Sequence, residues 1–314
     1  MEHEKEGKEM TPGKFRGISR LSDNQGRFVM LALDQRESLR RVLIDRVGKA
    51  NDETIRMIKR VILKNLSSYV TAVLVDPEYG YPHLAKYISP RAGIILAVEK
   101  SGYEENLEFP HERLNRLIDE KMVSLAKKWG CDAVKLLIYW SDSLSDKTIQ
   151  HQKDLVRRVG DQAKKEDIPF ILEILTYGPN KGNSELVLKA VEEFSKEEYG
   201  VDLFKIEPLK GVSQEEVKKA TRGKPWVILS GGIDIGEFEQ KLIENIALGC
   251  SGILAGRVVW KGILDYPDDY EKMELYLQKT GIQYVERLKT LVRKCTSWYN
   301  SDFYEGFENV EVRG

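Results

Sequence analysis

Lys205 lies inside an apolar run, Leu203-Phe204-Lys205-Ile206-Glu207-Pro208. A strand alternates its side chains, so Lys205 and Glu207 share one face while Phe204 and Ile206 take the other. A lysine held in a partly dry interior has its charged form disfavoured, and the freed amine is a nucleophile. The chemistry open to it is attack on a ketone to form a Schiff base. Taken alone, such a lysine could equally snorkel to solvent or pair with Glu207. Other embedded charges change that balance. Lys135 sits in AVKLLIYW, Glu173 in FILEILTY, and Asp34, Gln35 and Arg36 end the run that starts at Phe28. Buried charges of both signs are costly unless they pair or work, so the competing reading is a structural ion-pair network. In the working reading Lys135 raises the positive potential near Lys205, Glu173 moves protons on a substrate hydroxyl, and Asp34 holds Lys135 or a sugar hydroxyl.

A second signal comes from glycines. WVILSGG ends in Ser230, Gly231 and Gly232, and SGILAGR ends in Gly256 and Arg257. Backbone N–H groups beside glycine approach an anion closely, and the serine and arginine add donors. The four histidines, His3, His83, His111 and His151, are scattered and form no metal-ligand spacing. The lysine route therefore stands ahead of a metal route, and no cofactor is expected.

These residues fall at the ends of eight strand-like stretches: 28–35, 72–78, 93–99, 133–140, 170–177, 203–209, 226–232 and 251–257. Helical periodicity fills most of the gaps: Ser38–Val47, Asp52–Tyr69, Pro110–Trp129, Asp146–Glu166, Ser184–Glu198, Gln214–Thr221 and Ile235–Leu248. Strand alternating with helix predicts a parallel sheet, and eight units close into an α/β (β/α)8 TIM barrel, whose sites lie at the C-terminal strand ends. Phosphate sites in such barrels follow strands seven and eight, where the two glycine-containing ends lie. An open doubly wound sheet is the runner-up, weakened because no GxGxxG follows the first strand. Residues 15–300 are expected to form one barrel domain, with extra C-terminal helices from Tyr266 to Trp298. Residues 1–14 read as a flexible charged tail and 301–314 as a loosely docked one.

The chain has 314 residues, 32% charged and 41% hydrophobic, with net charge −1, a balance that suggests neither a nucleic-acid nor a membrane-surface partner. The first ten residues lack the apolar core of a signal peptide, and Cys131, Cys250 and Cys295 have no CxxC spacing. A cytoplasmic protein acting on a small molecule is expected, with its surplus helices available for a homo-oligomer interface.

From about Leu21 to Trp298 the chain resembles the class I tagatose 1,6-bisphosphate aldolases, in LALDQRESLRR, VDPEYGYP, AVKLLIYW, IPFILEILTY, DLFKIEP, ILSGGID and LAGRVVW. The resemblance implies that Lys205 forms the Schiff base and Glu173 transfers protons, with Lys135 and Asp34 lining the site. It implies cleavage of a ketohexose bisphosphate to dihydroxyacetone phosphate and glyceraldehyde 3-phosphate. Ser230, Gly231, Gly232, Gly256 and Arg257 would then hold the C1 phosphate, with Gln35 and Arg36 at the far end. The chain is also similar to the sulfofructosephosphate aldolases, in LALDQRE, PWVILSGG and LAGRVVW. Between Lys205 and Trp226 it has the short KGVSQEEVKKATRGKP where tagatose enzymes carry a longer insertion. The group at C6, phosphate or sulfonate, stays open on these residues. A non-catalytic sugar-phosphate sensor is the remaining alternative.

Overall fold

The computed structural model describes residues 8–48 and 50–314. Eight parallel strands close into a barrel: β1 Phe28–Leu33, β2 Ala72–Val75, β3 Gly93–Ala97, β4 Ala133–Trp140, β5 Phe170–Thr176, β6 Leu203–Ile206, β7 Trp226–Ile228 and β8 Gly252–Ala255. Each strand pairs with the next in sequence, and β8 returns to β1 with Leu254 opposite Met30. The near-continuous apolar runs follow from burial on both faces. One parity points outward under the helices, as with Val73, Leu96, Phe204 and Ile206. The other fills the barrel interior with Met30, Ala32, Leu74, Ala97, Ala133, Ile171, Leu203, Val227 and Leu254.

That inner parity carries the site. Two residues beyond Ala32, Leu74, Ala97, Ala133, Ile171 and Leu203 stand Asp34, Asp76, Glu99, Lys135, Glu173 and Lys205. An apolar plug thus gives way, one layer higher, to a layer of charge at the C-terminal end. Register fixes its neighbours: Glu173 lies opposite Lys205, and Ala97 opposite Lys135.

The helices begin where side chains satisfy the free backbone N–H groups of their first turns. Ser145 and Asn183 cap the helices Asp146–Lys165 and Ser184–Phe194, and Ser213 forms a capping box with Glu216 ahead of Gln214–Thr221. The expected helix Pro110–Trp129 is a correction: only Met122–Lys128 is α-helical. Glu104–Glu105 and Arg113–Leu114 pair antiparallel instead, and 113–118 runs back along the extended chain after β3 through the Glu99–Leu117 bridge and Lys100 N–H to Arg116 O. The turn includes His111 at φ 78°, outside helical geometry.

The ends of the chain also differ from the tail reading. Residues 1–7 lie outside the described residues, but Lys8–Met10 pairs in parallel with Val310–Val312, Met10 opposite Val312. The helix Pro12–Leu21 closes the N-terminal end of the barrel, where Ile18 and Leu21 are buried with Phe28, Trp298 and Tyr304. Gly17 is required there, since a Cβ would fall 2.4 Å from the Asp132 carbonyl oxygen. Cys250 and Cys295, far apart in sequence, meet as buried thiols with sulfurs 3.7 Å apart. Among the described residues no helix is long and apolar enough to cross a membrane.

Candidate active site

Lys205, 3% exposed, points into the mouth of the barrel from β6. Its Nζ lies 2.8 Å from Glu173 Oε2 on the neighbouring β5. The same oxygen lies 2.7 Å from Lys135 Nζ, so Glu173 stands between the two ammonium groups. Lys135 also contacts Asp34 Oδ2 at 2.9 Å and Glu99 Oε1 at 2.8 Å. Burial alone would push the Lys135 amine down, but Asp34, Glu173 and Glu99 outweigh it and hold it well above the ordinary lysine value. Burial likewise pushes the Asp34 carboxyl up, and Lys135, then Lys205, bring it below the usual carboxylate range. Lys135 is therefore a fixed cation with three carboxylate partners.

This changes the role expected for Lys135. Three carboxylates largely cancel the positive potential it was expected to project onto Lys205. Its geometry suits holding Asp34, Glu99 and Glu173 in place. The alternative pairing of Lys205 with Glu207 is not adopted: Glu207 Oε2 accepts the Thr176 N–H at 2.9 Å and its hydroxyl at 2.5 Å.

Two cavities flank Lys205 and share Gln35, Arg113, Tyr139, Glu173, Leu175 and Arg257 as walls. One, of about 310 Å³, reaches toward β7 and β8, where Ser230, Gly231 and Gly256 line it. The Arg257 guanidinium donates to the Gly231 carbonyl at 3.3 Å and lies beside Gly232, which has φ 88° and does not itself line this cavity. At Gly256 a Cβ would fall 2.1 Å from the Ala32 oxygen, so glycine is what lets β8 end this close to β1. The other cavity, of about 390 Å³, reaches toward β1 and β3 and is lined by Asp34, Arg36, Ser38, Arg41, Glu99 and Lys100.

Of the residues expected at the far end, Gln35 borders both cavities and its buried Oε1 has no partner among the described residues. Arg36 lines the second cavity, but protein partners already hold it. Its buried guanidinium is tied to Glu78 Oε1 and the Glu99 carbonyl, both at 2.7 Å, and so positions the loops after β1, β2 and β3. Asp76, also noted at a strand end, is fully buried against Lys59, which donates to it and, at 2.8 Å, to the Leu33 carbonyl. That pair braces the backbone one residue before Asp34.

Sequence reasoning assigned no role to Glu99, Lys59 or Arg113. Glu99 was detectable by parity, two residues past the inward-facing Ala97. Lys59 sits on an amphipathic helix with no local sign of burial, and Arg113 fell in a segment read as helical.

A family model described as "DeoC/LacD family aldolase" matches residues 28–262, three-quarters of the chain and all eight strands. The chain belongs to the DeoC/LacD family of aldolases. A relative in this family, tagatose 1,6-diphosphate aldolase 2 of Streptococcus agalactiae serotype III, is 31% identical over 92% of this chain and 98% of its own length. Tagatose 1,6-diphosphate aldolase 1 of Streptococcus mutans serotype c is 30% identical over 92% and 98% of the two chains. Among solved structures, fructose-bisphosphate aldolase from Plasmodium falciparum superposes with a TM-score of 0.70 at 14% identity, covering 92% of this chain and 98% of that one. A Schiff-base-forming fructose-1,6-bisphosphate aldolase superposes at 0.58 and 19% identity, covering 88% and 98%. At these identities the structural matches establish the barrel fold alone.

Proposed function

We propose that the chain is a class I aldolase that cleaves tagatose 1,6-bisphosphate to dihydroxyacetone phosphate and glyceraldehyde 3-phosphate, with Lys205 as nucleophile. The observation that carries this reading is the Lys205–Glu173 contact of 2.8 Å at the junction of two cavities. An amine and a proton-transfer group thus meet where the middle of an extended substrate would lie. The names of the relatives in the same family supply the substrate class and favour a C6 phosphate over a sulfonate.

In this mechanism Lys205 passes a proton to Glu173 and its amine adds to the C2 ketone; Glu173 returns the proton to the departing oxygen, and loss of water gives an iminium. Glu173 takes the C4 hydroxyl proton, the C3–C4 bond breaks into the iminium, and the aldehyde leaves. The resulting enamine takes a proton at C3, and water releases dihydroxyacetone phosphate and regenerates the amine. The iminium serves as the electron sink, so the reaction as proposed calls for no metal or organic cofactor. Lys135 keeps Glu173 and Asp34 oriented throughout. Ser230, Gly231, Gly256 and Arg257 hold the C1 phosphate, the residues nearest the β7 and β8 ends. A cytoplasmic setting belongs to the same reading.

The test is borohydride reduction in the presence of dihydroxyacetone phosphate, followed by peptide mapping. Label on Lys205 is expected. Label on Lys135 would mean the wrong amine has been chosen, and no label at all would favour a sensor. Assay of tagatose 1,6-bisphosphate beside 6-deoxy-6-sulfofructose 1-phosphate separates the two substrates: cleavage of only the sulfonated sugar would overturn the tagatose assignment.

A further inference from the structure

Arg113 occupies a place that the catalytic account does not use. It sits on the hairpin between β3 and β4 and borders both cavities that flank Lys205. Its guanidinium lies over the rings of Tyr103, Tyr177 and Tyr139, at 4.4, 4.5 and 5.1 Å from their centroids. Aromatic faces hold the plane of a guanidinium but do not neutralise its charge, and they leave its N–H edge free. Among the described residues the side chain makes no ion pair and no hydrogen bond.

The backbone of Arg113, by contrast, is clamped. Its N–H donates to the Tyr177 hydroxyl at 3.1 Å, and its carbonyl accepts from Gln152 Nε2 at 3.1 Å. The preceding Glu112 accepts from the Ser145 N–H at 2.6 Å and its hydroxyl at 2.7 Å. A rigidly mounted, unpaired fork facing a substrate cavity is the arrangement that reads a phosphate by two parallel hydrogen bonds. Arg36, expected at the far end, is held by Glu78 and the Glu99 carbonyl. Lys100 pairs with Glu104 at 3.8 Å, and Arg41 lines one cavity only.

We infer that Arg113 binds the anionic group at the substrate end remote from the C1 phosphate and thereby sets the preference for a bisphosphate over a monophosphate. This rests on the Schiff-base reading above and adds a substrate contact to it.

The experiment compares kcat/KM for tagatose 1,6-bisphosphate and tagatose 1-phosphate in the parent, Arg113→Met, Arg113→Lys and Arg41→Met. Loss of a bidentate charge-assisted contact should lower the bisphosphate-to-monophosphate ratio by about 100-fold in Arg113→Met. Lysine keeps the charge without the fork, and the ratio should fall about tenfold. Borohydride trapping with dihydroxyacetone phosphate, which has no far end, is run on each protein. Parent protein that is not trapped defeats the Schiff-base reading, and this inference with it. Trapped Arg113→Met with an unchanged ratio overturns the inference alone, as does a ratio that moves in Arg41→Met but not in Arg113→Met. If Arg113→Met is not trapped, the ratio in Arg113→Lys decides: a fall supports the inference and an unchanged value overturns it.

Discussion

Replacing Lys135 with methionine tests whether that residue works by holding carboxylates. Five buried or nearly buried charges meet at the mouth: the ammonium groups of Lys135 and Lys205 against the carboxylates of Asp34, Glu99 and Glu173. Methionine has similar length and removes the only cation in contact with Asp34 and Glu99 among the side-chain ion pairs described. Breaking a buried pair by removing one partner costs about 3–5 kcal/mol, because the remaining charge is left without compensation. The loss should depend on pH. In the parent, the lowered Asp34 adds stability that is present above its unfolded value and lost as pH falls. In the variant Asp34 has lost that cation, so acid removes a stabilisation that only the parent has. Urea denaturation of Lys135→Met and parent should differ by about 3–5 kcal/mol at pH 7 and converge below roughly pH 5. Lys205→Met, which loses a contact with Glu173 alone, should cost much less stability while abolishing borohydride trapping. Equal stability of Lys135→Met and parent at pH 7, or a difference that does not change with pH, would mean that Lys135 does not hold these carboxylates.

Glu173→Gln should lower kcat by about 10²–10⁴-fold while trapping at Lys205 persists, measured by steady-state assay and peptide mapping. Gly160→Ala, in the middle of Asp146–Lys165, should destabilise by about 1–3 kcal/mol despite alanine's better helix propensity, because the new Cβ would fall 2.1 Å from the Tyr199 carbonyl oxygen. Burial pushes Lys224 down to about 8. The unfolded chain then binds more protons between that value and about 10.4, so the cost of this lysine is complete below pH 8 and fades as pH rises. Lys224→Met should therefore gain about 1–3 kcal/mol at pH 7, less what is lost by leaving the Val201 carbonyl unpaired, and the gain should vanish near pH 10.5 in a pH series of thermal melts.

The barrel and most of its charged layer were legible because both depend on local alternation. Lys135, Glu173 and Lys205 each interrupt an apolar run at a position of inward parity, and parity survives any uncertainty about the helices between. What was hidden depends on contacts distant in sequence. The stretch from Pro110 has Leu114, Leu117 and Ile118 at helical spacing. Tyr177 and Gln152, 64 and 39 residues away, instead hold it as a hairpin strand. The part played by Arg36 was hidden similarly: position placed it at a strand end, but Glu78, 42 residues on, determines where its guanidinium goes. The close approach at Gly256 is to the Ala32 carbonyl and not to an anion, whereas Gly232 serves the turn and not the cavity wall.

The pairing of Lys8–Met10 with Val310–Val312 ties the beginning of the chain to its finish beneath the barrel floor. Because residues 310–312 follow all eight barrel strands along the chain, every one of those strands can be in place before this contact forms. Removing either segment strips the other of its ladder partner.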